Sequence, residues 1–96
     1  MTVVRSHVYS VDPADLDELI VRRGTLIAAV RAKHPGLSAT RLIGLEDGTY
    51  SDIWYWDSVE QLVAALQDIP NFPEAPLAMS LTRDASAQNG RLIDES

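Results

Sequence analysis

The chain has 96 residues, 46% of them hydrophobic, with 14 Asp and Glu against 8 Lys and Arg, a formal net charge of -6, and no cysteine. That is enough for one hydrophobic core and too little for two, so residues 1–96 are expected to form a single domain. A net acidic chain with scattered cations is a poor match for nucleic acid or an anionic membrane, and the absence of cysteine excludes disulfides, thiolate metal sites and cysteine nucleophiles.

Residues 3–11 alternate, with Val4 and Val8 on one side and Arg5, His7 and Tyr9 on the other, which predicts a first strand. This start is unlike the continuous apolar segment of a secretory signal, and no run approaches the roughly 20 apolar residues of a membrane helix, so a cytoplasmic protein is expected. Asp12 reads as an N-cap, Pro13 suits a first helical position, and Asp15 adds negative charge to the first turn. Leu16, Leu19, Ile20, Ile27 and Val30 recur at helical spacing and predict a long amphipathic helix. Gly24 inside it suggests a close approach or a bend, and Lys33, His34, Pro35 and Gly36 form a stop signal.

Residues 38–45 and 49–56 are β-like and flank Glu46, Asp47 and Gly48, which predicts an antiparallel hairpin. Ser58 and Gln61 match a capping box ahead of a second helix carrying Leu62, Val63, Leu66 and Ile69, and Pro70 ends it. Leu77, Ala78 and Leu81 predict a short helix against the sheet edge. Asn89 and Gly90 read as a turn before a short final strand over residues 91–94. The order strand, helix, strand, strand, helix, strand predicts an α+β fold of the ferredoxin-like β-α-β-β-α-β kind, with an antiparallel sheet covered by helices on one face. A domain this small buries only about 60–65% of its unfolded surface, so the open face is expected to be covered by a second copy or by a ligand.

Val4, Val8 and Ile53 are the apolar set expected under the helices. On that assignment Arg5, His7, Tyr9, Asp52, Trp54 and Trp56 look out from the open face. His7 is the candidate proton carrier, because an imidazole can take or give a proton near neutrality; the alternative is a hydrogen-bonded packing residue. Asp52 is a second candidate base, or an orienter of His7, against a purely structural ion pair with Arg5 or Arg41. Arg5, Tyr9, Trp54 and Trp56 are candidate substrate-binding residues. The tryptophans would stack on a planar ring or else fill a core or dimer seam. No phosphate loop, HExxH pair or GxSxG elbow occurs, and two distant histidines give no metal site.

The Asp12-Pro13 helix start, the His34-Pro35-Gly36 break, and Asp52-Ile53-Trp54-Tyr55-Trp56-Asp57-Ser58 leading into Glu60-Gln61 resemble the dimeric α+β barrel superfamily, in particular the antibiotic biosynthesis monooxygenase-like domain. The resemblance runs from about Val3 to Leu66. It implies a homodimer packed sheet against sheet, with a pocket between each sheet and its helices or within the barrel. It also implies oxidation of phenol, quinol or anthrone-type aromatics by dioxygen with no metal or flavin, so no cofactor is expected. A non-catalytic small-molecule-binding module, or an isomerase or cyclase, would use the same surface. In the haem-degrading branch a first-strand Asn, a Trp before the second helix and a histidine after it line the pocket. Trp56 matches that Trp, His7 falls near the Asn position, and residues 69–79 hold no histidine, which opposes haem chemistry here.

Overall fold

The computed structural model describes every residue from Met1 to Ser96. The alternating first segment forms β1 (Val3–Val11). Asp12 then closes a single 3-10 turn, its Oδ1 accepting from the Ala14 amide at 2.9 Å, before α1 (Leu16–Lys33) begins. Strands β2 (Leu37–Gly44) and β3 (Tyr50–Trp56) make the predicted hairpin. Its tight corner needs a residue in the left-handed region, supplied by Gly48 at φ 89°. Ser58 caps α2 (Val59–Asp68) by accepting from the Gln61 amide, while the Gln61 side chain turns away from the cap and lies over Gly36. A 3-10 turn, α3 (Glu74–Met79) and β4 (Thr82–Arg91) complete the chain.

The four strands lie in the order β2-β3-β1-β4 with every neighbouring pair antiparallel, the ferredoxin-like arrangement. All three helices contribute to the core on one face of this sheet. The main core joins Val3, Leu37 and Trp56 from the strands to Leu26, Ile27 and Val30 of α1, Leu62 and Ala65 of α2, and Ala75 and Ala78 of α3. A second cluster packs Tyr9 and Val11 on Leu19.

The side of the sheet that the helices cover is the reverse of the expected one. Val3, Tyr9, Val11, Asp52 and Trp56 are buried beneath the helices, whereas Val8 is 36% exposed on the open face. Strand alternation puts Val4, Ser6, Ser51, Ile53 and Tyr55 on that open face with it. Arg41 joins them, its guanidinium 4.9 Å from the centre of the Tyr55 ring. Volume accounts for the choice: filling the gap between sheet and helices takes the large side chains of Tyr9, Trp54 and Trp56, which the small β-branched set cannot replace.

Four smaller expectations are also corrected. Ile20 is 50% exposed, so the buried stripe of α1 runs through Leu19, Leu26, Ile27 and Val30. A Cβ at Gly24 would meet no atom within 4 Å, so no close approach occurs there. The short helix α3 packs on α1 rather than on the sheet edge, and the carbonyl of Leu77 accepts from Arg22 Nη1 at 2.9 Å. Asn89 and Gly90 are not a turn: they pair with Arg5 and Val4 inside β4, which ends where the last strand was expected to start. Pairing with β1 overrides the weak β-propensity of this polar segment. The register between β1 and β4 slips at Tyr9, where Asp84 adopts φ 55°, so β4 carries a bulge there.

Candidate active site

The antiparallel register sets Arg5 opposite Trp54 and His7 opposite Asp52 on the helix-covered face. Together with Tyr9 and Trp56 they line a cavity of about 280 Å³ between sheet and helices. All six predicted site residues therefore share one site, but an internal one. Its remaining wall is mostly apolar, with Leu19 and Leu26 from α1, Leu62 and Leu66 from α2, Ile69 and Pro70 from the following turn, and Ala75, Ala78 and Met79 from α3. Trp56 is 1% exposed and belongs to the core, so it does not form a seam on the open face.

Asp52 is only 7% exposed and is the hub of the polar network. Its carboxylate accepts from Tyr9 Oη at 2.8 Å, from Trp54 Nε1 at 3.0 Å, and from Arg23 through Nε at 3.1 Å and Nη2 at 3.0 Å. The expected pairing with Arg5 or Arg41 is thus replaced by Arg23, whose side chain is 15% exposed. Arg23 comes from α1, which packs over this face of the sheet. With both oxygens occupied, Asp52 is held as an ion-pair partner and has no free lone pair aimed at a ligand. Burial, reinforced by the adjacent carboxylate, pushes the Tyr9 hydroxyl well above the ordinary phenol range, so it stays a donor.

His7 behaves differently. Burial, then the Arg5 cation, lower its pKa from the usual 6.5, and the more weakly opposing Asp52 does not restore it. The ring is therefore neutral at pH 7 and no hydrogen bond to another residue perturbs it. Arg5 donates from Nη1 to Asn89 Oδ1 at 2.9 Å and has no carboxylate partner. The indole Nε1 of Trp56 is buried without any acceptor.

Arg23 was not among the residues expected in the site, although its spacing marks it. It falls four residues after Leu19 and four before Ile27, inside the buried stripe of α1, where a charge needs a partner across the core. The other histidine is remote: His34 Nε2 lies 2.8 Å from Asp68 Oδ2 and ties the end of α1 to the end of α2. No group of three or more His, Asp and Glu side chains is placed to hold a metal ion.

No protein-family model and no curated protein sequence matches the chain. Solved structures do. A variant of SnoaB, a cofactor-independent oxygenase from Streptomyces nogalater, superposes with a TM-score of 0.78 at 20% identity, covering 98% of this chain and 95% of that one. A candidate antibiotic biosynthesis monooxygenase from Caulobacter crescentus gives a TM-score of 0.70 at 18% identity, covering 97% and 91%. A variant of MhuD holding two manganese protoporphyrin IX molecules per active site gives 0.67 at 19% identity, covering 98% and 97%. The chain thus shares its fold with these three solved structures, an oxygenase and a candidate antibiotic biosynthesis monooxygenase among them.

Proposed function

We propose that the chain is a cofactor-independent monooxygenase acting on a small planar aromatic of the phenol, quinol or anthrone type. The observation that carries this reading is a neutral, uncommitted imidazole, His7, facing an apolar cavity walled by Trp54 and Trp56. A cavity of about 280 Å³ sits at the lower end of the roughly 300–1,000 Å³ typical of small-molecule sites, which suits one small fused ring system better than a porphyrin. Residues 69–79 also lack a histidine to ligate haem iron.

In this reading Trp54, held by Asp52, and Trp56, held by the core, confine the ring. His7 removes a proton from its acidic CH2 or OH group, and Arg5 stabilises the resulting electron-rich anion. That anion reduces dioxygen and a C–O bond forms. On an anthrone the O–O bond of the peroxide then breaks, a carbonyl replaces the CH2, and water departs with its two hydrogens and the second oxygen atom; on a phenol or quinol the O–H and the ring C–H that takes the oxygen supply the two hydrogens, and a quinone is left. Apolar walls keep bulk water from quenching the anion.

Oxygen uptake with a panel of anthrones and hydroquinones tests the proposal. Wild type is expected to turn over at least one of them, and His7→Ala to lose about 10²-fold or more, the usual contribution of a positioned base. No uptake on any of the panel would leave a non-catalytic binding module as the better account. The open sheet face, with Val8 36% and Ile43 42% exposed, supports a homodimer that packs these faces together. Sedimentation velocity at micromolar concentration is expected to give a dimer, and a clean monomer would refute it.

A further inference from the structure

We infer that residues 69–81 form a hinged strap over the cavity: the 3-10 turn at its start stays fixed, α3 swings outward to admit a ligand, and the Arg22 guanidinium is the latch that holds α3 shut. This rests on the cavity as a binding site and not on the reaction proposed for it.

The strap walls the cavity through Ile69, Pro70, Ala75, Ala78 and Met79. The other walls do not give way cheaply. The sheet is tied by its strand pairing, and Leu19, Leu26, Leu62 and Trp56, which line the cavity from α1, α2 and β3, are all buried in the core. Helix α3 is built otherwise. It has six residues, and Pro73 at its N-cap offers no side-chain acceptor to the first amides. Its large apolar side chains face solvent, Leu77 being 57% exposed and Met79 exposed as well. What it buries is Ala75 and Ala78, whose methyl groups contribute little area. So short a helix depends on packing for its place, and here the packing is slight.

The two halves of the strap are held unequally. At the start, His34 Nε2 lies 2.8 Å from Asp68 Oδ2, Phe72 is part of the core, and Lys33 Nζ sits 5.5 Å from the centre of the Phe72 ring. Beyond Phe72, one hydrogen bond reaches α3 from a distant part of the chain: Arg22 Nη1 donates to the Leu77 carbonyl at 2.9 Å, while Arg22 Nε is held by Glu18 at 2.8 Å. The bonds from Ser80 and Thr82 to the Leu77 and Met79 carbonyls come from the chain immediately following. Because Ser80 Oγ also donates to the Leu77 carbonyl, that oxygen keeps a partner when Arg22 lets go, which lowers the cost of release. The backbone is extended at Phe72, with φ -81° and ψ 120°, and helical again at Pro73, so the pivot falls between the anchored turn and α3. Motion of this kind admits a ligand and then excludes water behind it.

Hydrogen exchange read by mass spectrometry tests the strap without a ligand. In wild type the amides of residues 77–81 are expected to exchange ahead of those of α1 and α2. Arg22→Gln should speed them about fivefold, the scale of one hydrogen bond from a partly exposed charged donor, and leave α2 unchanged. Stopped-flow binding of N-phenyl-1-naphthylamine, a neutral dye that brightens in apolar surroundings, reads the gate itself. Arg22→Gln should raise its association and dissociation rates together, each about fivefold, with the affinity kept within about twofold, because the latch acts on the path and not on the bound state. Arg22→Lys, which keeps a donor on a more flexible stem, should fall between. A faster dissociation alone, unchanged rates, or amides at 77–81 that Arg22→Gln does not move would each overturn the inference. If the dye does not bind at all, the aromatic reading of the cavity falls and exchange alone decides the strap.

Discussion

Replacing Asp52 by Asn separates the two roles that a buried carboxylate beside a histidine can have. The substitution preserves shape but removes the charge that faces Arg23, whose side chain is 15% exposed against 10% for that of Asp52. Breaking a buried ion pair by removing one partner costs about 3–5 kcal/mol, and because Asn retains one acceptor for Tyr9 or Trp54 the lower end, about 3 kcal/mol, applies. For a chain of this length that lowers the melting temperature by roughly 12–24 °C. Urea unfolding followed by tryptophan fluorescence measures the loss. The double variant Arg23→Met with Asp52→Asn, which removes both charges, should recover about 1 kcal/mol or more relative to the sum of the single changes. A stability within about 0.5 kcal/mol of wild type for Asp52→Asn would refute the hub assignment. Unchanged stability with turnover as low as that of His7→Ala would make Asp52 the base.

Three other outcomes follow from the same geometry. The His7 imidazole should titrate below 6.5 in NMR spectra, and Arg5→Gln should move it upward, though not past 6.5, since the guanidinium is one cause of the lowering and burial remains. Because the folded pKa is depressed, the unfolded chain binds the proton first, so stability should fall as pH drops from above 6.5 through the folded pKa, and His7→Gln should flatten that fall. Tyr9 has the opposite sign: its raised pKa leaves stability intact below the unfolded value near 10 and loses it above, and ultraviolet titration should show a late-ionising phenol that is absent from Tyr9→Phe. Ser58→Ala removes the hydroxyl that accepts from the Gln61 amide at the start of α2 and should cost about 1 kcal/mol in a thermal melt.

Most of the fold was legible because its elements announce themselves locally: Asp12 and Ser58 cap, Gly48 turns, and the helices end at His34 and near Pro70. Alternation correctly grouped Arg5, His7, Tyr9, Asp52, Trp54 and Trp56, yet period-two patterning is symmetric and does not say which face is covered. That choice is made by side-chain volume and by a residue on another element, Arg23, which neutralises Asp52 from above. The final strand was hidden for a related reason. Nothing in Thr82–Arg91 favours extension by itself, and the register with β1 is what makes it a strand. The chemistry was the least legible part, because it depends on who is already satisfied: Asp52 has its partners, whereas His7 and the Trp56 N–H do not.

Strand β4 is an edge strand, polar and exposed along nearly its whole length, with a bulge that interrupts its pairing to β1. Such a strand opens at a lower free energy than the core, so its amides should be among the first to exchange with solvent. Asn89, which aims the Arg5 guanidinium, is on this strand. A ligand that needs the oriented guanidinium binds only molecules whose β4 is docked, which makes the strand's fraying a tax on affinity and slows exchange along β4 once the cavity is filled. For the proposed ligand, the edge of the sheet and not only the cavity wall would thereby set how tightly the site holds it.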